Sequence, residues 1–279
     1  MNSSNFSFIS TYKDIEEFYN GHKIVIKPTN RQGSIGIEFI DSESDIIKGF
    51  RNSQIIIDEP ILSKKQIELE FLVEDYIQGQ EVSTEVLVSN GEVIFKNFTK
   101  KVGIPGQEHI EYANYIPANS IMEQVELLIS SASVGTGVLH AEWKIFENKA
   151  YLIECAARMP GDFIPNGISL SYDMNFRKQY ILLMCGFPTS IKSVIVKYSI
   201  IQYCSTSNNG KLRSIENIEL IKGYKEYITE FQLYVNIGEQ VAIAKSFWDR
   251  LGYFILFGEN KEEIYDIRNE ILSKVVFVT

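Results

Sequence analysis

Val138-Leu-His-Ala-Glu142-Trp-Lys-Ile-Phe146, then Glu147-Asn-Lys149, then Ala150-Tyr-Leu-Ile-Glu154, reads as a β-hairpin that carries two glutamates. With residues 147–149 as its loop, Phe146 faces Ala150, and the same register sets Glu142 opposite Glu154. Directly opposed residues on antiparallel strands have Cβ atoms roughly 4.5–5.5 Å apart, so two carboxylates there repel. Two outcomes stay open: the glutamates splay into solvent, or a hard divalent cation lies between them. The chain continues Glu154-Cys-Ala-Ala-Arg158-Met-Pro-Gly161-Asp162, which ends the strand with an arginine four residues past the acid and a glycine turn. That combination favours a site for anions and metal over a surface loop.

Upstream, Val82, Thr84, Val86 and Val88 alternate with Glu81, Ser83, Glu85 and Leu87, the period of a strand with one polar face. Asn90-Gly91 is a strong hairpin-turn signal, and residues 92–99 return from it. Lys100 to Tyr115 holds Gly103, Pro105 and Gly106 and reads as a loop. A helix over 120–133 leads into the glutamate hairpin, and one over 174–185 is expected to pack behind it. Nearer the start, residues 10–19 have helical apolar spacing with Ser10 or Thr11 able to cap. A short strand over 23–28 stops at Pro28. A polar, glycine-bearing loop over 29–36, a strand over 37–40 and a short helix over 45–50 follow. Residues 53–70 remain partly unassigned, and 71–77 is an extended apolar run ending at Gly79, a hinge candidate. From 190 onward Val/Ile/Tyr-rich strands dominate, closed by an amphipathic helix over 262–273. The expectation is an α+β chain of three lobes: 1–75, 76–187 and 188–279.

With 36 acidic against 27 basic side chains the formal charge is −9 over 279 residues. No long Lys/Arg run is present, which argues against a partner held by nucleic-acid phosphates. No stretch approaches twenty apolar residues, so no membrane span is expected. The first residues lack the basic and apolar blocks of a signal peptide. Cys155, Cys185 and Cys204 have no metal-ligand spacing and read as reduced thiols of a cytoplasmic protein. His22, His109 and His140 are too dispersed for a histidine-rich metal site.

Five stretches, in this order, resemble the ATP-grasp superfamily of carboxylate–amine ligases, and within it most of all the L-amino-acid ligase branch. The resemblance implies an α+β ATP-grasp fold, with two α+β lobes gripping a nucleotide and a β-rich C-terminal lobe. In the first stretch, Lys27-Pro28 … Gly33-Ser34-Ile-Gly36, it assigns Lys27 to nucleotide phosphates and the glycine-bearing loop to folding over them. Backbone N–H groups and small residues approach phosphates closely, and lysine adds a point charge. In Glu74-Asp75-Tyr76-Ile77-Gln-Gly79-Gln-Glu81 it assigns the backbone to adenine and Glu81 to the ribose hydroxyls. In Thr99-Lys100-Lys101 … Glu111-Tyr-Ala-Asn114 it implies that Lys101 holds the transferred phosphoryl group and Glu111 a substrate ammonium. Relatives often carry histidine where Asn114 stands.

The fourth stretch is the pair Glu142 and Glu154, which the resemblance assigns to Mg2+ (or Mn2+) bridging nucleotide phosphates; Ala156 stands where many relatives have asparagine. The fifth is Arg158 with Gly161-Asp162-Phe-Ile-Pro165-Asn166, in which the arginine would hold the substrate carboxylate or the acyl-phosphate oxygens by a bidentate fork. The implied activity is ATP-dependent C–N bond formation through an acyl phosphate, with amino acids as carboxylate and amine. The family's N-terminal domain and one phosphate-binding lysine are expected to be absent. A second polypeptide would then supply that domain, or the chain is a truncated relative. The alternative is a non-catalytic Mg·ATP-binding module acting as a partner subunit.

Overall fold

Ile24, Val25 and Ile26 are all buried, so the strand they form is packed on both faces, and this strand organises the first part of the chain. A computed structural model describes residues 2–29, 31, 33–54, 70–102, 109–112, 119–244 and 247–279. Two compact units result: residues 3–78, and residues 1–2 with 79–279.

In the smaller unit the elements are β1 (Phe6–Ile9), α1 (Tyr12–Phe18), β2 (Ile24–Pro28), β3 (Glu38–Ile40), α2 (Ile46–Ser53) and β4 (Phe71–Asp75). The four strands form an antiparallel sheet of order β1-β4-β2-β3. Ile15 of α1 and Ile46 and Phe50 of α2 close its core with Ile24, Ile26, Ile40 and Val73. The Asp14 carboxylate starts α1 by accepting the backbone N–H groups of Ser10 (2.8 Å) and Thr11 (2.7 Å). Such reciprocal caps satisfy amides that have no partner inside the helix. Strand β1 was not anticipated from the sequence. The unassigned stretch 53–70 lies, from 55 to 69, outside the described residues.

The larger unit opens with β5 (Gln80–Ser89), β6 (Glu92–Val102), β7 (His109–Tyr112), α3 (Asn119–Ser131), β8 (Gly137–Phe146) and β9 (Lys149–Ala156). Then come α4 (Ile164–Ser171), α5 (Phe176–Met184), β10 (Tyr198–Cys204), β11 (Gly210–Lys211), β12 (Ser214–Glu216), α6 (Glu219–Gly223) and β13 (Ile228–Leu233). The chain ends with β14 (Gln240–Val241), β15 (Gly252–Gly258), α7 (Lys261–Lys274) and β16 (Val276–Val278). Eight of these strands form one antiparallel sheet of order β13-β15-β10-β7-β6-β5-β8-β9.

Alternation along β5 decides what covers each face. Val82, Val86 and Val88 meet Ile121, Val125, Leu128 and Ile129 of α3, and Trp143 of β8 is fully buried there. The Trp143 indole N–H donates to Thr84 Oγ1 at 3.0 Å, so its one polar atom is satisfied. On the opposite face Leu87, Phe95 and Val138 pack against Ile164, Ile168 and Phe176 of α4 and α5. Ile200, Phe254 and Leu256 join Ile264, Ile267 and Ile271 of α7 in a further cluster. The Asn260 side chain caps α7, accepting from the N–H groups of Glu262 and Glu263.

Strands predicted for two different lobes thus share a sheet: β5, β6, β8 and β9 come from the stretch 76–187, β10, β13 and β15 from 188–279. Part of the expected loop 100–115 is strand, since β6 runs to Val102 and β7 pairs with both β6 and β10. Helix α4 was also not expected. Among the described residues no helix is long and apolar enough to cross a membrane.

Candidate active site

The glutamate hairpin forms with a different turn from the one its sequence suggests. Phe146 pairs with Lys149, Ile145 with Ala150, Lys144 with Tyr151 and Trp143 with Leu152. The turn is therefore two residues, Glu147-Asn148, both in left-handed conformation (φ 47° and 61°). A β-bulge then shifts the register by one, leaving Ile153 as the extra residue, and Glu142 does pair with Glu154. The two acids share a face because directly paired residues do.

Rows of paired residues run across β6, β5 and β8 on that face. Glu81 stands between Lys101 and Lys144, Ser83 between Thr99 and Glu142, Glu85 between Asn97 and His140, and Leu87 between Phe95 and Val138. The face is charged at one end and apolar at the other. Lys101 Nζ contacts Glu142 Oε1 and lies 3.6 Å from Glu81 Oε1, while Lys144 Nζ is 3.1 Å from Glu81 Oε2. His140 reaches two carboxylates, Glu142 through Nε2 at 3.4 Å and Glu85 through Nδ1 at 3.1 Å. The fully buried Glu85 also accepts from Ser83 Oγ (2.6 Å), Asn97 Nδ2 (2.7 Å) and Thr99 Oγ1 (2.8 Å).

Electrostatics follow from this packing. Burial works against the Lys101 ammonium, but Glu142 and then Glu81 outweigh it and hold the lysine protonated above its ordinary range. Burial likewise opposes ionisation of Glu142, and Lys101 with His140 overcomes it, keeping this carboxyl below the usual carboxylate range. For His140 burial favours the neutral ring, yet the hydrogen bonds its ring donates to Glu142 and Glu85 raise its pKa to about 9.

Glu154 is exposed on β9, the sheet's edge strand. Among the described residues no group of three or more His, Cys, Asp or Glu side chains is arranged around a metal position. Two opposed carboxylates at a sheet edge form an open donor set. It fits a hard cation such as Mg2+ or Mn2+ that completes its shell with phosphate oxygens and water, and not a closed structural cage.

Beyond β9, Arg158 is exposed and donates through Nη1 to the Met159 carbonyl at 3.1 Å. The backbone register sets Glu111 opposite Lys100 and Ile200, one residue out of step with Lys101, whose partner is Ile110. The geometry therefore does not bring Glu111 into the row of Lys101. Asn114 lies outside the described residues.

In the smaller unit Lys27 Nζ is 2.7 Å from Glu74 Oε2, and both side chains are largely buried. Gly33, Ser34 and Gly36 all take positive φ (65°, 63° and 74°) in one turn. A Cβ on Gly36 would sit 2.9 Å from Pro28 Cγ and 3.0 Å from the Ser53 carbonyl, so close approach demands glycine there. Asp75 accepts from Asn5 Nδ2 at 2.6 Å, Tyr76 packs edge-on against Phe39, and Ile77 is half-buried. Two groups escaped the sequence reading. Glu85 was visible in the alternating strand of residues 81–88, but nothing local marked His140 as its partner. Asp162 stood in the fifth stretch, but nothing in the sequence marked its pairing with Arg250, 88 residues away and joined to it at 2.7 Å.

The ATP-grasp domain family matches residues 21–166. The chain belongs to the ATP-grasp family. Residues 202–279 match L-amino acid ligase C-terminal domain 2. Among solved structures the ATP-grasp chain is similar to L-amino acid ligase from Bacillus licheniformis, with 17% identity and a TM-score of 0.79, covering 100% of this chain and 68% of that one. It is also similar to phosphoribosylglycinamide synthetase from Anaerococcus prevotii (16% identity, TM-score 0.65, covering 99% and 70%). A third is carboxyaminoimidazole ribonucleotide synthase from Aspergillus clavatus complexed with ATP (14% identity, TM-score 0.68, covering 98% and 68%). At such identities these likenesses speak for the ATP-grasp fold. No curated protein sequence matches the chain.

Proposed function

We propose that this ATP-grasp chain is an ATP-dependent ligase, or the catalytic part of one, that joins a carboxylate to an amine, with amino acids as the substrate class. The observation that carries this reading is the pairing of Glu142 with Glu154, with Lys101 held against Glu142 and Arg158 four residues past Glu154. Paired strands thus supply two carboxylates for a cation and a lysine for anionic oxygens, and the segment after β9 would add the arginine. Glu142 and Glu154 would hold Mg2+, which supplies charge neutralisation at the nucleotide phosphates. Lys27, Gly33, Ser34 and Gly36 are assigned to the phosphates, Glu74, Asp75, Tyr76 and Ile77 to the base, and Glu81 to the ribose.

In the reaction a carboxylate oxygen attacks the γ-phosphorus of ATP, the bond to the β–γ bridging oxygen breaks, and ADP leaves. The amine nitrogen then attacks the acyl carbon, the bond to the phosphoryl oxygen breaks, inorganic phosphate departs, and the nitrogen loses its proton. This chain's part is positioning and charge. Lys101, kept protonated by its acidic neighbours, would meet the phosphoryl oxygens, and Arg158 the substrate carboxylate or acyl phosphate.

The test is ADP release from Mg·ATP across a panel of amino acids, for the wild type and Glu154→Ala. The expected loss in the variant is on the order of 10²–10³-fold, the scale seen when one charge-stabilising group is removed. Amino-acid-dependent ADP release at wild-type rate in the variant would refute the assignment of the glutamate pair.

A further inference from the structure

We infer that Asp162 and Arg250 are positioning residues, two halves of a clamp by which the C-terminal strands fix the loop 157–163 and, with it, Arg158. The inference deepens the ligase reading above and rests on it for the role of Arg158.

The backbone of the loop needs holding. Asp162 and Phe163 are consecutive non-glycine residues in the left-handed region, with φ of 53° and 59°. A bulky residue such as Phe163 takes that conformation only where its surroundings over-determine it. The surroundings do so from several directions. Arg250 Nη1 and Nη2 lie 2.7 and 3.4 Å from the two Asp162 carboxylate oxygens, a fork on a carboxylate. Tyr203 donates its hydroxyl to the Asp162 carbonyl at 2.9 Å, and its ring lies under the Arg250 guanidinium at 3.6 Å. The Phe163 ring stacks on Tyr253, centroids 3.9 Å apart and planes 22° from parallel. Glu230 ties the base of the arrangement together, accepting from Tyr253 Oη (3.1 Å) and Asn166 Nδ2 (2.7 Å).

The holding residues, Tyr203, Glu230, Arg250 and Tyr253, all belong to the stretch matched by the L-amino acid ligase C-terminal domain, and the held ones close the ATP-grasp match. Arg250 is 7% exposed, too deep to be a solvated surface charge. Asp162 also adds to the negative field that keeps Lys101 protonated, so the clamped loop lies close to the charged end of the strand rows. Arg158 is exposed on the segment between β9 and this clamp. Its direction therefore depends on two anchors, the end of β9 on one side and Asp162 with Phe163 on the other. A displacement of about 1 Å in a substrate-positioning group costs up to roughly hundredfold in rate, which gives the clamp its leverage.

Arg250→Gln and Arg250→Lys in the whole chain test this, with three readouts: KM for the carboxylate substrate, affinity for Mg·ATP by calorimetry, and the rate of tryptic cleavage after Arg158. The expected result for Arg250→Gln is a KM raised roughly ten- to hundredfold, Mg·ATP affinity within about twofold of wild type, and faster cleavage at Arg158. Arg250→Lys, keeping the charge without the fork, recovers part of each. A folded Arg250→Gln protein with wild-type KM and wild-type cleavage overturns the clamp. Should Arg250→Gln fail to fold, Tyr203→Phe removes one hydrogen bond and keeps the ring beneath Arg250. It is expected to speed cleavage at Arg158, and an unchanged rate there equally overturns the inference. If the wild type releases no ADP with any amino acid, the ligase reading fails by itself, and the cleavage readout still decides the clamp.

Discussion

Glu85 is fully buried, and a carboxylate so placed persists only while its oxygens are occupied. Three neutral donors and His140 occupy them, and His140 passes the connection on to Glu142. Tyr172 lies close enough over this group that burial and then the Glu85 charge push its hydroxyl up to about 12. The sequence showed Glu81, Ser83 and Glu85 as a polar strand face, but not that the face is covered. A helix over 164–171 was not expected, and that helix brings Tyr172 into the core. The His140 pKa of about 9, against an ordinary 6.5, fixes a sign. A raised pKa contributes stability that is complete below about pH 6.5 and disappears as pH rises through about 9. The full contribution is on the order of 3 kcal/mol. In chelator-containing buffer the wild type is therefore expected to lose thermal stability between pH 7 and 10, and His140→Gln to start lower with a flatter profile. Parallel profiles for the two proteins would show that His140 bears no charge in the native state.

At the level of elements, the hairpin 137–156 shows how a correct pairing can follow from an incorrect turn. A three-residue loop and an unbroken ladder give Glu142 opposite Glu154. A two-residue turn followed by a bulge gives the same pair, because each adds one residue to the second strand. Alternation fixes which face a residue takes, and it is blind to where the extra residue sits. Loop length was illegible because Glu147-Asn148 is not the Asn-Gly or Asp-Gly pair that announces a two-residue turn. The conformation nevertheless demands left-handed φ at both positions. Glu147→Asn with Asn148→Gly should therefore stabilise the larger unit by about 0.5–1 kcal/mol, raising its melting temperature by about 1–4 °C. A lowered melting temperature would favour the three-residue loop. The short helices and strands of residues 10–50 were legible because caps, a proline stop and glycine turns frame them. Strand β1 was not, since Phe6-Ser-Phe8-Ile9 is only four residues long and Phe6 and Phe8 are exposed.

For the molecule as a whole, the ATP-grasp architecture was legible from five motifs in order, and the division of its larger part was not. Val/Ile/Tyr-rich strands after residue 190 look sufficient for a lobe of their own, because hydrophobic runs state that a strand is buried and not against what. The structure buries them in company. Strand β10 pairs with β7, and Ile201, Tyr203, Tyr253 and Ile255 share one cluster with Leu87, Phe95, Ile164 and Phe176. Cutting after residue 187 removes β10, β13 and β15 from the eight-stranded sheet and strips those four side chains from the shared cluster. Each large apolar side chain lost from a core forfeits about 1.5–3 kcal/mol of burial, and four together match the whole stability of a typical domain, about 5–15 kcal/mol. Residues 79–187 produced alone are therefore expected to show no sharp thermal transition and little near-ultraviolet circular dichroism. The stretch 188–279 is expected to behave alike, since its own strands lose β7 as a neighbour and the cluster loses α4 and α5. Mixing the two fragments restores the shared core, so a cooperative transition should return on mixing and not before. A sharp transition in residues 188–279 alone would establish a separate C-terminal lobe and remove the reason for treating 79–279 as one folding unit.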